Sequence, residues 1–198
     1  MQITADLVKQ LRDRTGAGMM ECKKALAGAA GDLEKAVDAL RKSGAAKAEK
    51  RADRAAHEGR VDSYVHPGNR VGVLIEVNCE TDFVARTGEF EELVRNLAMQ
   101  AAAAGAEYVS REDVPAERIE REREIYRAQI EEQGKPATVI DKIVTGKLEK
   151  FFSEVCLLDQ PYVRDDKKTV TEIVRESVAR TGENIVVRRF ARFRLGAE

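Results

Sequence analysis

Hydrophobic and polar positions alternate along residues 71–79, which predicts a β-strand with one buried face. The apolar positions of that face are Val71, Val73, Ile75, Val77 and Cys79. The alternation ends after this strand, where three polar residues, Glu80, Thr81 and Asp82, follow. Thr81 is a suitable N-cap for a short helical turn, because its hydroxyl group accepts a hydrogen bond from a backbone N–H group of that turn. Phe83 is therefore expected at the mouth of a surface turn.

Phe83 has two interpretations. Large apolar residues are usually buried, so the ring is one candidate cover for a local core. The other interpretation is a contact for a partner protein, because a rigid strand here delivers an aromatic ring and the carboxylate of Asp82 to a surface turn. For an arbitrary phenylalanine in an arbitrary turn, the first interpretation is the more common one.

Apolar residues recur with helical spacing over residues 1–44 and predict three short helices. Thr4 and Asp32 are expected to cap the first and third helices at their N-termini, and Gly44 is expected to end the third. The inward positions are Leu7, Val8, Leu11, Cys22, Ala25, Leu26, Ala29, Leu33, Ala36, Val37 and Leu40. These apolar faces predict a small helical domain over residues 1–44.

Met19 and Met20 open the second of these helices. Adjacent helical residues point about 100° apart, so we expect one of the two in the core and the other exposed. An exposed methionine is an adaptable contact for a partner protein. Arg12 lies late in the first helix and is expected to flank this position. Plain packing and partner docking both remain open for these residues.

Residues 45–58 are rich in alanine and in charge but lack an apolar stripe, which predicts a solvated helical linker. A second domain is expected over residues 59–198. It begins with a hairpin, because Pro67-Gly68 suits the two central positions of a type II turn. Helices follow, and the one that begins near Pro136 is expected to be interrupted at Gly146.

A final strand is expected from Asn184 to about Leu195. Its buried face is predicted to hold Ile185, Val187, Ala191, Phe193 and Leu195, and its wet face Arg188, Arg192 and Arg194. The chain is thus predicted to have an α+β fold. The small N-terminal three-helix bundle and the helical linker precede an antiparallel sheet packed with helices.

Composition limits the classes of partner and location. The chain has 198 residues, of which 43% are hydrophobic and 35% charged, and its net charge of −1 argues against a dedicated nucleic-acid binder. Its three cysteines are far apart, which is typical of a reducing compartment. The sequence shows no signal peptide and no long apolar run, so we expect a cytoplasmic protein without a membrane segment.

Catalytic and cofactor motifs are missing from the sequence. It has no phosphate-binding G-x-x-x-x-G-K-[ST] motif, and its two histidines and scattered cysteines do not form a zinc set. No cysteine has a neighbour that would activate it, so buried structural thiols are expected. We therefore expect no catalytic residue, no cofactor and no bound metal, and a binding protein rather than an enzyme.

Three separated motifs follow one another along the chain: TGAGMMECKKAL at residues 15–26, NCETDFVAR at 78–86 and GENIVVRRF at 182–190. On these motifs the chain resembles the elongation factor Ts family, in its short bacterial form with a single core. The resemblance extends over essentially the whole chain. It implies a ubiquitin-associated-like N-terminal domain and a guanine nucleotide exchange factor that promotes GDP release from the GTPase elongation factor Tu.

The resemblance also implies roles for particular residues. Phe83 is the expected wedge near the Mg²⁺ and switch region of elongation factor Tu, where Asp82 competes for polar groups. Thr81 and Val84 hold the turn. The N-terminal domain is expected to dock through Arg12, Met19 and Met20. The Mg²⁺ ion belongs to the partner, so no Mg²⁺ is expected on this chain.

Longer family members carry a doubled core and an inserted coiled coil, whereas this chain has one core. A homodimer would supply the second copy, and the final strand and the helices from residue 115 onward are its candidate surfaces. Two other classes stay open. One is an RNA-binding module that uses the linker and the C-terminal arginines, and the other is an adaptor for ubiquitin-like proteins built on the N-terminal bundle.

Overall fold

The computed structural model describes residues 3–133 and 136–197 and confirms the α+β class. The helices of this part are α1 (Ala5–Thr15), α2 (Met19–Gly28), α3 (Leu33–Glu49), α4 (Asp82–Ala85), α5 (Gly88–Ala104), α6 (Ala116–Glu131), α7 (Ala137–Val155) and α8 (Val170–Thr181). The strands are β1 (Glu58–Val65), β2 (Val71–Cys79), β3 (Pro161–Tyr162), β4 (Asp165–Thr169) and β5 (Val186–Arg194). Short 3₁₀ turns occupy Arg111–Asp113 and Leu157–Asp159.

Strands β1, β2 and β5 form an antiparallel sheet in the order β1-β2-β5, and β3 pairs with β4 in a separate hairpin. The chain divides into two compact units. The first holds the chain up to Arg60 together with Val77–Leu93 and Glu172–Val186; the second holds Val61–Glu76, Val94–Thr171 and the chain from Val187 onward. The domain boundaries predicted from the sequence, at 44 and 58, stay a prediction.

The N-terminal part of the first unit is a bundle of α1, α2 and α3. Its buried residues are Val8, Leu11, Cys22, Leu26 and Ala36. Both predicted N-caps are confirmed: Thr4 accepts a hydrogen bond from Leu7 N at 3.3 Å, and Asp32 accepts one from Lys35 N at 3.1 Å. These caps satisfy N–H groups that have no partner within the helix, which fixes where α1 and α3 begin.

Gly44 does not end the third helix, contrary to the sequence prediction, because α3 continues to Glu49. A Cβ atom at position 44 would lie 3.3 Å from the Cβ atom of Ala179 in α8, so the glycine serves a close helix–helix contact. The predicted helical linker is accordingly helical only up to Glu49. Residues 50–57 form turns and irregular backbone that lead into β1.

Strand β2 alternates as predicted, with Val73, Ile75, Val77 and Cys79 buried. The other face of the sheet is exposed and carries large apolar side chains. These are Val61 and Val65 on β1, Leu74 on β2 and Phe193 on β5, with Leu195 directly after it. The hydrogen bonds from His66 N to Val71 O and from Leu195 N to Arg70 O align the three strands at this end.

The predicted buried face of the last strand is wrong in its C-terminal half. Val187 is buried as expected, but Arg188 and Arg189 are both exposed, so the alternation shifts by one residue. Such a shift moves every later side chain to the opposite face. Phe193 is consequently 72% exposed, and Arg192, predicted to be wet, is half-buried.

Helices α6 and α7 pack against each other in the second unit. Their shared cluster contains the buried residues Ile130, Ile140, Val144 and Leu148. Gly146 lies inside α7 without interrupting it, contrary to the prediction, because Val144 and Leu148 on either side are buried in this cluster and hold the helix in place. Within the described ranges, no helix is long and apolar enough to cross a membrane.

Candidate functional site

The turn that follows β2 exposes an aromatic ring. Thr81 is the N-cap of α4, and its Oγ1 atom accepts a hydrogen bond from Val84 N at 3.4 Å, as predicted. Ala85 is buried and fixes the inner side of the turn. Phe83 is 80% exposed, so its ring projects from the surface and does not cover the chain's own core.

The other predicted residues of this turn lie beside the ring. Asp82 forms an ion pair with Arg86 at 2.9 Å, one turn further along the chain. Both partners are substantially exposed, so this pair contributes little to stability. Val84 is half-buried. The turn thus places a carboxylate and an aromatic ring next to each other on one surface.

A carboxylate from a distant part of the chain holds the start of the turn. Glu183 accepts hydrogen bonds from Glu80 N at 3.1 Å, from Thr81 N at 3.0 Å and from Thr81 Oγ1 at 2.6 Å. This contact is not predictable from the local sequence pattern. Glu183 lies within the third family motif, directly before the last strand predicted from Asn184.

Asn184 forms a second connection to the same place. Its backbone N–H donates to Glu80 Oε1 at 2.6 Å, and its side-chain Nδ2 donates to Ala52 O at 3.1 Å and Arg54 O at 2.8 Å. Asn184 is only 5% exposed, so these hydrogen bonds satisfy a polar side chain that is shielded from water. The turn after β2, the segment before β5 and the residues after α3 are therefore joined within one unit.

A buried cysteine lies behind the turn. Cys79 Sγ donates a hydrogen bond to Thr81 O at 3.2 Å. Burial, and next the negative charge of Glu183, raise the pKa of the Cys79 thiol to about 11. The thiol is therefore protonated at neutral pH and acts as a hydrogen-bond donor, not as a nucleophile.

The predicted N-terminal contact residues are all at the surface. Met19 is 58% and Met20 is 76% exposed, so the expectation that one of them lies in the core is wrong. The core of the bundle takes Cys22 and Leu26 from α2, and both methionines precede these residues in its first turn. Arg12 is exposed in α1. These residues belong to the same compact unit as Phe83.

The exposed side chains of these surfaces are mostly apolar, and the thiol groups of the chain are buried. In the described portion of the chain, no group of three or more His, Cys, Asp or Glu side chains is placed to hold a metal ion. Cys22, Cys79 and Cys156 are buried, and burial raises the pKa of each thiol. What the molecule offers is an exposed ring on an anchored turn, an exposed methionine pair and the open sheet face.

Comparisons with known proteins show the family to which the chain belongs. A family model described as "Elongation factor TS" matches residues 3–197. Elongation factor Ts of Pseudothermotoga lettingae is 60% identical over 198 residues, which is 100% of both chains. Elongation factor Ts of Coprothermobacter proteolyticus is 59% identical over 196 residues, covering 99% of this chain and 100% of the relative.

A third relative, elongation factor Ts of Caldanaerobacter subterraneus subsp. tengcongensis, is 59% identical over 194 residues, covering 98% of this chain and 97% of the relative. These matches run from end to end, so they include the turn after β2, the start of α2 and the segment before β5. The chain therefore belongs to the elongation factor Ts family.

Proposed function

We propose that this chain is a guanine nucleotide exchange factor for elongation factor Tu and acts in translation elongation in the cytoplasm. Thr81, Asp82, Phe83 and Val84 form the segment that enters the Mg²⁺ and switch region of the GTPase. The observation that carries the proposal is the exposed ring of Phe83 on a turn whose backbone is fixed by hydrogen bonds. Family membership supplies the identity of the partner.

In the proposed mechanism, GDP and this chain compete for binding to the GTPase. A GTPase holds its nucleotide through contacts to the phosphates and through Mg²⁺. A factor that binds the nucleotide-free form more tightly than the GDP-bound form weakens GDP binding by the same factor, because the coupling is reciprocal. Phe83 contributes if the partner must deform to accommodate the ring, and Asp82 contributes by competing for polar groups near Mg²⁺.

One ring is too small to supply the whole effect. Accelerating GDP release ~10⁴-fold requires a barrier lower by about 5.5 kcal/mol. Burial of one phenylalanine side chain supplies only about 1.5–3 kcal/mol. The remainder must come from other contacts made in the exchange step. The exposed Met19 and Met20 on α2, with Arg12 on α1, are the second contact region in this proposal, and they supply affinity for the GTPase. The bundle of α1–α3 is proposed to be ubiquitin-associated-like.

The test is the release of fluorescent GDP from elongation factor Tu, measured by stopped flow over a range of factor concentrations. This measurement gives a limiting rate and a half-saturating concentration separately. Phe83→Ala is expected to lower the limiting rate about 10- to 100-fold, because loss of a wedge removes transition-state stabilisation. Val163→Ala, which truncates an exposed apolar residue next to β3, is the matched control. Equal limiting rates for Phe83→Ala and the unaltered chain would exclude Phe83 from the mechanism.

We also propose that two copies of the chain associate through the open face of the sheet. This face exposes five large apolar side chains, and monomeric proteins seldom leave such a patch uncovered. They are Val61, Val65, Leu74, Phe193 and Leu195. All five belong to the same compact unit, and a patch of this kind is self-complementary under a two-fold axis.

Sedimentation velocity tests this association. A stable interface buries about 1,000 Å² or more in total, so the unaltered chain is expected to sediment as a dimer at micromolar concentration. Phe193→Glu places a charge in the patch and is expected to give monomers, whereas Val163→Glu, an exposed position outside the patch, leaves the dimer intact. A monomeric unaltered chain would contradict the proposal.

A further inference from the structure

The exposed position of Phe83 raises the question of what fixes its direction. With 80% of the residue exposed, the ring has few neighbours of its own to hold it. Its orientation therefore depends on the backbone of the turn, and the turn begins at Thr81. Helix α4 that follows is only four residues long, too short to be stable through its own hydrogen bonds.

Glu183 supplies the missing constraint. One carboxylate oxygen, Oε2, accepts both Glu80 N and Thr81 N, and the other, Oε1, accepts Thr81 Oγ1. Hydrogen bonds to a charged acceptor are stronger than those between neutral groups. The same Thr81 hydroxyl oxygen accepts Val84 N, so it joins the Glu183 carboxylate to the first turn of α4.

The chain around Glu183 is itself fixed. Helix α8 ends at Thr181, and Gly182 adopts a left-handed conformation with φ +78°, which turns the chain away from the helix axis. Asn184 follows, buried and hydrogen-bonded to Glu80 Oε1 and to the carbonyl groups of Ala52 and Arg54. The carboxylate thus extends from a rigid segment to a turn that has little rigidity of its own.

From this geometry we infer that Glu183 is a positioning residue for nucleotide exchange, which holds the turn so that Phe83 projects in the direction the GTPase must accommodate. The inference rests on the proposed exchange function and adds a residue 102 positions away from Thr81 along the chain. Glu183 does not need to touch the partner. It acts through Thr81, whose backbone and hydroxyl group it binds.

A double-mutant cycle tests this inference, with stopped-flow release of fluorescent GDP from elongation factor Tu as the measurement. Glu183→Ala is expected to lower the limiting rate about 10- to 100-fold, because a small misplacement of a critical group is enough for such a loss. The half-saturating concentration is expected to stay within about twofold, because the N-terminal contact region is unchanged. In the Phe83→Ala background, Glu183→Ala is expected to have no further effect on the limiting rate.

Three further variants complete the test. Glu183→Gln keeps one acceptor oxygen and is expected to give an intermediate rate, and it carries the test if Glu183→Ala fails to fold. Thr81→Val removes the hydroxyl group that Glu183 binds and is expected to behave like Glu183→Ala. Glu89→Ala is the matched control, because this glutamate lies in the same unit but pairs with Arg180 at 2.5 Å.

The outcomes distinguish the positioning role of Glu183 from the exchange mechanism that uses Phe83. A slow Phe83→Ala together with an unaltered rate for a folded Glu183→Ala, or for Glu183→Gln where only that variant folds, overturns the positioning role and leaves the exchange mechanism standing. Additive losses from Glu183 and Phe83 also overturn it, because they mean that Glu183 does not act through the ring. A normal rate for Phe83→Ala overturns the exchange mechanism and the positioning role together.

Discussion

The turn that carries Phe83 and the first turn of α2 that carries Met19 and Met20 both expose apolar side chains from the same compact unit. They are held in different ways. The Phe83 turn has a side-chain N-cap, Thr81, which is itself bound by Glu183. Helix α2 is preceded by Gly18, which makes no side-chain cap hydrogen bond. The Phe83 turn is thus held by a carboxylate that binds its cap, whereas the first turn of α2 is joined to α3 by the exposed ion pair of Glu21 and Lys47.

The exposed side chains of the two surfaces also differ in rigidity. Phenylalanine has two rotatable side-chain bonds and a rigid ring, whereas methionine has three rotatable side-chain bonds and a polarisable sulfur atom. A rigid ring on a braced turn suits a part that must deform its partner. A flexible pair on a lightly capped helix suits a part that must adapt to its partner. This difference is the reason why we propose exchange for the first surface and docking for the second.

The two surfaces also share a structural feature. Each has a buried cysteine behind it whose thiol donates to a nearby backbone carbonyl group: Cys79 to Thr81 O at 3.2 Å and Cys22 to Ala17 O at 3.5 Å. Burial raises the pKa of both thiols, and only that of Cys79 is raised as far as about 11. The thiol behind the braced turn is thus the more strongly perturbed one.

This difference predicts an alkaline loss of stability that depends more on Cys79 than on Cys22. The Cys79 thiol has an ordinary pKa of 9.0 when unfolded and about 11 when folded, so the folded state retains a proton that the unfolded state loses between these values. The free energy of unfolding therefore falls as pH rises from 9 towards 11, by up to about 2–3 kcal/mol. Urea unfolding at a series of pH values between 9 and 11 measures this fall in the free energy of unfolding.

Cys79→Ala is expected to flatten that pH profile in part, because Cys156, whose pKa burial also raises to about 11, is retained. Cys22→Ala is expected to flatten it less. The slopes are compared and not the absolute stabilities, because both substitutions also leave small cavities. Equal slopes for the two variants would contradict the difference in their surroundings.

Exchanging the kind of side chain on the braced turn tests the rigid-wedge interpretation. Phe83→Met keeps an apolar side chain of similar size but introduces flexibility, which must be lost on insertion. We expect the limiting rate of GDP release to fall about tenfold with little change in half-saturating concentration. Full activity of this variant would show that the size of the group matters and its rigidity does not.

The docking surface is expected to have the opposite kinetic signature. The double variant Met19→Ala/Met20→Ala is expected to raise the half-saturating concentration about fivefold, because adaptable surface contacts contribute modestly to affinity. The limiting rate should remain that of the unaltered chain. A fall in the limiting rate at saturation would place these methionines in the exchange step and remove the distinction between the two surfaces.

The loop before α2 offers a smaller test based on stability. Gly16 has φ +68°, and a Cβ atom there would overlap the side chain of Arg180, so Gly16→Ala is expected to lower the free energy of unfolding by about 1 kcal/mol. Gly18 has an extended N-cap conformation and open space around it, so Gly18→Ser is expected to raise it by about 0.3 kcal/mol. Urea unfolding at neutral pH distinguishes the two.

Sequence patterns were reliable wherever the deciding contacts are local. The N-caps Thr4, Asp32 and Thr81 each bind an N–H group three residues further along the chain, so the sequence contains both partners side by side. The alternation of β2 was equally readable, because one face of that strand is buried along most of its length. The family motifs led to the family that the comparisons established.

The errors arose where tertiary packing, and not the local pattern, decided the outcome. Gly44 is of the residue type that commonly ends a helix, but Ala179 packs against it and α3 continues. The alternation of the last strand places Phe193 on the buried face, but the shift at Arg188 and Arg189 exposes it. Met19 and Met20 have the hydrophobicity of core residues, but Cys22 and Leu26 fill the small bundle from the same helix.

The sequence by itself determined the class of fold, the position of the Phe83 turn and the family, because these depend on side-chain periodicity, local caps and contiguous motifs. Only the tertiary structure decided what braces that turn. Glu183 and Thr81 are 102 residues apart, and no local pattern specifies a hydrogen bond over that separation. It forms because the folding of β2 and of the segment before β5 brings a carboxylate to backbone N–H groups at the end of a strand, which need an acceptor.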